Sequence, residues 1–572
     1  MSGISLIFIV LQVWLDLRLP ETMSEITRLT QTEGSSMSDI WRNGGYMLLY
    51  ALGSLLSAAA VGFIAAKISA SFSQRLRSIL FHKVEAFSME EMNRFSTSSL
   101  ITRSTNDVTQ VQMLVVIALQ LVLKAPITAV WAITKISNKN VEWSMVTGAA
   151  ILVLVVLIVI LMIFTLPKFR KMQTLTDNIT QVARENLTGL RVVRAYNAED
   201  YQEEKFEEAN KQLSDNQLFT SRSMALMMPV MSVLMSGLPL AIYWIGAYLI
   251  DAAEITAKLT IFSDMVVFSS YAMQIIMSFM MLVMIFFMLP RASVSAKRIN
   301  EVLDTVPRIL GGSAKEGKPG LRGQVTFRDV SFRYPDAAEP VLEHISFTAN
   351  PGETVAFIGS TGSGKSTLIN LVPRFFDVTQ GSVEVDGINV KDYQSEALFD
   401  KIGYVPQKAV LFKGSVASNV AYGENGGADY SLEEVKTAVR IAQGTEFVEK
   451  MSGSYEASIA QGGSNVSGGQ KQRLAIARAV CRKPEIYLFD DSFSALDYKT
   501  DRVLRSVLKK ETAGVTSLIV AQRIGTIMDA DQIIVLDEGK IVGKGSHRAL
   551  LKDCQVYREI AMSQLSEKEL AS

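Results

Sequence analysis

The sequence predicts a multi-domain chain in which an all-α polytopic membrane domain of six long helices precedes an α/β domain. Two observations lead to this prediction. Apolar windows long enough to cross a bilayer fill the first half, whereas the second half alternates short apolar strands with charged segments. The boundaries are expected at residues 1–290 for the membrane domain, 291–322 for a linker and 323–572 for the α/β domain.

The overall composition excludes some classes of protein. The 572 residues are 48% hydrophobic and carry 57 basic against 57 acidic side chains, which is unlike a disordered chain. Without an excess of Lys and Arg, nucleic acid is not expected as a partner. Cys481 and Cys554 show no metal-ligand spacing. They are expected to be ordinary buried thiols in a reducing compartment.

Six segments are predicted to span the membrane, because a helix crosses the hydrocarbon core in about 20 residues. They cover residues 3–20, 44–66, 111–134, 143–166, 224–250 and 264–289. Asp16 lies inside the first and Lys124 inside the third, while the interiors of the other four are free of charge. The first segment lacks the basic start and cleavage site of a signal peptide, so a retained span is expected.

The orientation of the spans follows from the placement of Lys and Arg. These residues concentrate in the two long connections, between the second and third spans and between the fourth and fifth. Since cytoplasmic connections are enriched in basic residues, both connections are expected in the cytoplasm. Both chain ends and the α/β domain then lie on the same side. The chain is predicted to be a multi-pass protein of the cell membrane, in contact with the lipid bilayer.

Two charges and a methionine stripe indicate a cavity among the spans. Charged side chains within a membrane usually face a bundle interior or water, which predicts that Asp16 and Lys124 line a substrate cavity. Alternatively, each lies nearer the interface, with Lys124 snorkelling. The sixth span carries methionines at spacings of three and four, including Met277 and Met284, which offer an adaptable apolar surface. Packing or lipid contact is the simpler explanation of this stripe.

A phosphate-binding loop is the strongest motif of the second half. The pattern G-x-x-x-x-G-K-[ST] is matched by Gly359, Ser360, Thr361, Gly362, Ser363, Gly364, Lys365, Ser366 and Thr367. It follows an apolar strand and opens an apolar helix, as a P-loop requires. Backbone N–H groups would cradle phosphate, Lys365 would reach the terminal phosphates and the Ser366 hydroxyl would ligate Mg²⁺. The α/β domain is therefore predicted to be a P-loop NTPase.

Two further segments fit this chemistry. A second buried strand ends at Asp490 and Asp491, and Asp490 is expected to organise Mg²⁺. Between the two strands, Ser467–Gln470 opens a helix whose exposed N–H groups can hold another phosphate. A second phosphate site is redundant within one subunit. It makes sense if the nucleotide of a second subunit is held there.

These motifs, and their order along the chain, resemble those of ABC transporters. The resemblance covers the whole chain. Six spans followed by one nucleotide-binding domain with a helical signature subdomain are similar to a half-size exporter of the multidrug type. The resemblance implies ATP and Mg²⁺ as cofactors, Tyr334 stacking on adenine, Gln407 contacting Mg²⁺ and Asp497 in the D-loop. The family's signature motif is matched by Val466, Ser467, Gly468, Gly469 and Gln470, with Val in place of the usual Leu. The resemblance implies that this segment contacts the partner's nucleotide.

Two departures from the family pattern fall in the ATP site built on this chain's own P-loop. The catalytic residue after Asp490 is usually Glu, whereas Asp491 is one methylene shorter. The switch position is usually His, whereas Gln522 cannot titrate. A shift of roughly 1 Å at a reacting group can cost about 10²-fold in rate. The resemblance thus predicts the degenerate-site subunit of a bacterial heterodimer with a second ABC half-transporter. A homodimer that tolerates Asp and Gln is the alternative.

The activity implied by the resemblance is ATP-driven export of small amphipathic molecules, either drug-like or lipid-like, across the cell membrane. Importers usually carry their ATPase on a separate chain, and the six spans exclude a soluble ABC ATPase. An ATP-gated or regulatory non-pumping subunit stays open, because a degenerate site binds nucleotide more readily than it hydrolyses it. A lipid or peptide exporter also stays open.

Overall fold

The structure is a computed structural model that describes residues 2–32, 35–137, 141–335, 337–423 and 430–565. It divides into two compact units. One comprises residues 1–83 and 98–304, and the other comprises residues 84–97 and 305–572. The first is helical and the second is α/β, so the predicted fold class is confirmed.

Long helices build the membrane unit, and short ones join them. In chain order the helices of this half are α1 (Ser2–Gln31), α2 (Met37–Glu85), α3 (Met89–Arg94), α4 (Thr97–Thr102), α5 (Val108–Ile117), α6 (Lys124–Ile136), α7 (Val141–Thr188), α8 (Leu190–Ala195), α9 (Glu199–Ala225), α10 (Met227–Ala252) and α11 (Ile255–Asp304). Two π-helical turns, Arg103–Asp107 and Ala118–Val122, interrupt the span formed by α4, α5 and α6. Within the described ranges, six helices are long and apolar enough to cross a membrane.

Several of these helices are much longer than the apolar windows within them. At 1.5 Å per residue, the 50 residues of α11 extend about 75 Å, more than twice the roughly 30 Å of a hydrocarbon core. The helix continues to Asp304, and residues 291–304 contain no Gly or Pro that would end it earlier. The segment predicted as a linker, residues 291–322, is therefore helical over its first part.

Aromatic packing joins the first and last spans of the membrane unit. The Tyr271 hydroxyl of α11 donates a hydrogen bond of 2.9 Å to the backbone carbonyl of Leu17 in α1. Phe268, one turn earlier, packs against Trp143 of α7 with ring centroids 5.5 Å apart. All three side chains with rings are fully buried. The Tyr271 hydroxyl thus ties α11 to α1, and the Phe268 ring packs α11 against α7.

The second unit contains two main sheets and a set of shorter helices. Its strands are β1 (Val325–Phe332), β2 (Leu342–Ala349), β3 (Thr354–Gly359), β4 (Gln380–Val385), β5 (Ile388–Asn389), β6 (Ile402–Val405), β7 (Gly414–Ser415), β8 (Ser458–Ile459), β9 (Ile486–Asp490), β10 (Thr516–Val520), β11 (Gln532–Asp537) and β12 (Lys540–Gly545). Its helices are α12 (Lys365–Leu371), α13 (Ser395–Asp400), α14 (Val416–Val420), α15 (Leu432–Ile441), α16 (Thr445–Lys450), α17 (Gly468–Cys481), α18 (Tyr498–Glu511), α19 (Ile524–Ile527), α20 (His547–Asp553) and α21 (Gln555–Gln564).

The larger sheet has the order β12-β11-β3-β10-β9-β6, in which only the edge strand β12 is antiparallel. The antiparallel sheet β2-β1-β4-β5 packs its apolar face into the same core. Helices α14 to α17 share a second core, which forms the helical subdomain. Residues 84–97 join this unit through Arg308, whose guanidinium lies 2.5 Å from Glu90.

Candidate functional site

Strand order brings three candidate segments to one edge of the larger sheet. Strands β3, β10 and β9 are parallel neighbours, and Val520 of β10 pairs with Phe357 on one side and Asp490 on the other. The carboxyl ends of parallel strands lie at the same edge. The P-loop after β3, the two aspartates at the end of β9 and Gln522 after β10 are therefore adjacent.

The P-loop conformation depends on its glycines. Gly362 and Gly364 have φ angles of 86° and 91°, in the left-handed region that side chains disfavour. At Gly359 a side chain would overlap the backbone carbonyl of Leu536 on the neighbouring strand β11. These positions let the chain turn tightly between β3 and α12, so the N-terminus of α12 faces the space where phosphate binds in P-loops.

Lys365 lies folded into this loop. Its ammonium donates hydrogen bonds to the carbonyls of Gly359 and Ser360 at 3.0 and 2.7 Å, and to Ser363 Oγ at 3.3 Å. Burial lowers the pKa of Lys365, against the opposing charges of Asp491 and Asp490. The Lys365 ammonium therefore donates only to neutral oxygen atoms. The charged oxygens of a nucleotide phosphate can replace them as stronger acceptors.

Ser366 and Asp490 form an oxygen-rich pair beside the loop. Ser366 Oγ donates a hydrogen bond of 2.7 Å to Asp490 Oδ1. Burial raises the pKa of Asp490, an effect that the Ser366 hydrogen bond opposes and the neighbouring charge of Asp491 reinforces. In the described part of the chain, no group of three His, Cys, Asp or Glu side chains could hold a metal ion. Mg²⁺ commonly uses one or two protein oxygens plus substrate phosphates, so this pair fits it.

Asp491 is held by two glutamine amides. Gln522 Nε2 donates to Asp491 Oδ2 at 2.7 Å, and Gln407 Nε2 donates to the same oxygen at 3.3 Å. The Asp491 N–H donates to the Val520 carbonyl at 3.1 Å, and its φ of 47° is one that Asp tolerates better than most residues. The carboxylate is consequently buried and fixed between the strand ends.

Tyr334 reaches the P-loop helix with its hydroxyl, which lies 3.1 Å from Thr367 Oγ1. Its ring packs edge-on against Phe332 and Phe376, with centroid distances of 4.8 and 5.3 Å. The residue predicted to stack on adenine is thus part of an aromatic cluster next to the P-loop. Thr361 lies within the same loop, between Ser360 and Gly362.

The signature segment forms a capped helix start. Ser467 is the N-cap of α17: its hydroxyl accepts from the Gln470 N–H at 3.3 Å, while Gln470 Oε1 accepts from the Ser467 N–H at 2.9 Å. Gly468 and Gly469 add no side chain over the first turn. The positive end of the helix is therefore open to an anion.

The D-loop residue Asp497 is the N-cap of α18. Its carboxylate accepts a hydrogen bond of 2.9 Å from the Thr500 N–H, which holds the pKa of Asp497 below its ordinary value. Ser467–Gln470 open α17, which packs in the second core, whereas the P-loop joins β3 to α12, which pack in the first.

Two contacts near the nucleotide site carry no sequence signal of their own. Asp537, at the end of β11, accepts a hydrogen bond of 3.3 Å from Ser360 Oγ. Gln564, in the last helix α21, donates to the Gln522 carbonyl at 2.8 Å and accepts from the Ile524 N–H at 2.9 Å. Gln564 braces the backbone that carries Gln522. Only the three-dimensional fold could identify it.

In the membrane unit, a cavity of about 540 Å³ lies among α1, α2, α6 and α11. Asp16, Lys124 and Met277 line it, and the side chain of Met284 lies outside the described residues. Lys124 Nζ lies 3.3 Å from Asp16 Oδ2, and Ser54 Oγ donates to Asp16 Oδ1 at 2.5 Å. The two predicted intramembrane charges thus form an ion pair in one cavity.

A P-loop nucleotide-binding domain fused to a six-helix membrane domain defines a class of ATP-dependent membrane proteins. Residues 2–289 match the ABC transporter transmembrane region, and residues 342–494 match the ABC transporter domain. An uncharacterized ABC transporter ATP-binding protein of Mycobacterium tuberculosis is 42% identical over 96% of this chain and 93% of its own length. The chain belongs to the ABC transporter family.

Two further comparisons bear on the subclass. The ATP-dependent lipid A-core flippase of Pseudomonas aeruginosa is 32% identical over 90% of this chain and 83% of its own length. The structure of a bacterial Atm1-family ABC exporter with ATP bound has the same fold, with a TM-score of 0.82, 24% identity and 98% coverage of both chains. The chain has the architecture of a half-size ABC transporter, with one transmembrane domain followed by one nucleotide-binding domain, and it is a multi-pass membrane protein. Its nucleotide-binding domain binds ATP and couples ATPase activity to transport.

Proposed function

We propose that this chain is the degenerate-site half of a heterodimeric exporter that moves small amphipathic molecules out of a bacterial cell. The observation that carries the proposal is the contact of Gln522 and Gln407 with one oxygen of Asp491, at 2.7 and 3.3 Å. A residue that polarises the attacking water needs an oxygen within hydrogen-bond reach of that water. Here one of the two carboxylate oxygens accepts two amide N–H groups, and the side chain is shorter than Glu by one methylene.

The proposed cycle assigns a role to each part of the site. Lys365 and the P-loop N–H groups hold the phosphates, and Tyr334 contacts the adenine. When bound, Mg²⁺ supplies charge neutralisation for the phosphates, and Ser366, Asp490 and Gln407 offer it hard oxygen donors. Ser467–Gln470 and Asp497 complete the ATP site of the partner half-transporter. ATP binding then favours the closed pair of nucleotide domains, a population shift that changes access to the cavity.

Amphipathic molecules are proposed as the exported substrates because both methionines and an ion pair line the cavity. A lipid exporter is the second candidate, since the flippase of Pseudomonas aeruginosa is 32% identical to the chain. Both termini and the nucleotide-binding domain are proposed to be cytoplasmic, because basic residues concentrate in the two long connections.

The test is ATPase activity of the purified chain alone and with a co-expressed ABC half-transporter that has Glu and His at the positions of Asp491 and Gln522. The chain alone is expected to be at least tenfold slower than the pair. Equal turnover by the chain alone would overturn the degenerate-site proposal and favour a homodimer. Transport in vesicles separates a pump from a gate: ATP-dependent uphill flux supports export, whereas passive flux opened by a non-hydrolysable analogue supports a non-pumping subunit.

A further inference from the structure

The cavity among α1, α2, α6 and α11 has polar chemistry that points to one kind of headgroup. Its volume of about 540 Å³ falls in the range of roughly 300–1,000 Å³ found for small-molecule sites. Lys124 has three N–H donors, and one ion pair, to Asp16, is found for it in the described part of the chain. At least two donors of the ammonium are therefore available to a ligand.

The other polar groups of the lining are less available than this ion pair. Gln274 lines the cavity, but its Oε1 is buried away from it and has no hydrogen-bond partner among the residues that the structure describes. The hydroxyls of Ser278 and Thr128 line the same cavity, but they donate to backbone carbonyls of their own helices at 2.8 and 2.9 Å. Lys124 and Asp16 are therefore the lining groups most able to recognise a charged ligand, and Ser270 adds a hydroxyl.

Net charge narrows the class of ligand. The site holds one acid and one base, so its charge is balanced, and burying an additional unpaired charge at membrane depth is costly. A purely anionic or purely cationic ligand leaves one charge uncompensated. A zwitterion lets its anion pair with Lys124 and its cation with Asp16.

We propose that this cavity binds an amphiphile with a zwitterionic headgroup, made of a phosphate or carboxylate and an ammonium. Methionines including Met273, Met277 and Met281 line the cavity and would contact the apolar tail. The inference rests on the proposed export function, because it names the substrate class of that function. Asp16 and Lys124 exchange part of their mutual pairing for the ligand, so binding loosens the contact between α1 and α6.

The test is a competition experiment with four amphiphiles that share one dodecyl tail. The protein, with its partner half-transporter, is kept in dodecyl maltoside, whose headgroup is uncharged, and no nucleotide is added. Dodecylphosphoethanolamine and dodecylphosphocholine, which are zwitterionic, are each expected to bind at least tenfold more tightly than dodecyl phosphate or dodecylamine. If either of the two singly charged amphiphiles binds as tightly as the zwitterions, the proposal is wrong.

Charge-changing variants separate recognition from a structural role. Lys124→Gln should shift the preference towards dodecylamine, and Asp16→Asn should shift it towards dodecyl phosphate, each by about tenfold. A purely structural ion pair would weaken all four ligands equally, and that result contradicts the proposal.

Lys135→Gln is the matched control. Lys135 also joins α6 to α1, through an ion pair of 2.6 Å with Glu21, but it is not among the residues that line the cavity. This variant should keep the original order of the four ligands. Because the assay uses no nucleotide, its outcome does not depend on which ATP site hydrolyses. The ATPase comparison therefore tests the degenerate-site proposal, and the ligand series tests the headgroup proposal. Either one can fail without the other.

Discussion

Gln522 Nε2 donates a hydrogen bond of 2.7 Å to Asp491 Oδ2, and this contact joins the two positions at which the chain departs from the family pattern. The sequence alone gives no sign that these two residues are in contact, because 31 positions separate them. They meet because β9 and β10 are parallel neighbours whose carboxyl ends coincide. The two departures therefore act on one carboxylate rather than at two independent places.

Restoring both residues to the family pattern should raise hydrolysis at this chain's own site. We expect Asp491→Glu with Gln522→His to increase single-turnover hydrolysis at least tenfold, because the longer carboxylate extends towards the γ-phosphate. The measurement uses the heterodimer with the partner's catalytic Glu replaced by Gln, which isolates this site. Gln522→His alone serves as the control and should give a smaller gain. An unchanged rate in the double variant would mean that Asp491 does not limit this site.

Two P-loop glycines should respond differently to the same substitution. Gly359→Ala places a Cβ on the Leu536 carbonyl, so ATP binding should be lost as the loop moves away from β11. Gly362→Ala meets no atom within 4 Å and costs only the left-handed φ of 86°, about 1 kcal/mol. ATP affinity measured with a fluorescent analogue should therefore fall much further in the first variant. Similar losses in both would argue that conformation alone, and not the contact with β11, governs the loop.

Local motifs made much of the nucleotide-binding domain predictable. The P-loop, the strand ending at Asp490 and the helix start at Ser467 are short segments in which residue type fixes backbone geometry. The end of α11 was not predicted, because a hydrophobic window detects the bilayer-crossing part of a helix and not its polar continuation to Asp304. Gln564 was missed because its role depends on where α21 packs, which no local pattern encodes.

A buried charge cluster that no motif signalled should be important for stability. Lys401 Nζ lies 2.8 Å from both Asp386 Oδ2 and Glu485 Oε2, and its side chain is 13% exposed. Lys401→Met leaves Asp386 without a cation and Glu485 with only the exposed Arg322, 3.0 Å away, and should cost about 3 kcal/mol. The measurement is the free energy of unfolding of the nucleotide-binding domain, obtained by chemical denaturation of the full chain in detergent.

The exposed pair of Arg328 and Glu384 provides the control for this prediction. Its closest N–O distance is also 2.8 Å, but the Arg328 side chain is 65% exposed. Solvent screens such a pair, so Arg328→Met should change stability little. If the two substitutions destabilise the domain equally, burial is not what makes the Lys401 cluster important.

The signature helix should show its role in the partner's site through a substitution that leaves this chain's P-loop untouched. Ser467→Ala removes the N-cap of α17 and costs about 1 kcal/mol of helix stability. Ser431→Ala removes an equivalent capping box from α15, so it reproduces the stability loss at a position outside the signature. We expect only Ser467→Ala to lower heterodimer ATPase activity, by at least tenfold, while ATP binding to the isolated chain stays unchanged in both variants. If Ser431→Ala reduces the activity as much, the loss comes from a weakened helical subdomain, because removal of a cap anywhere in it would then be sufficient.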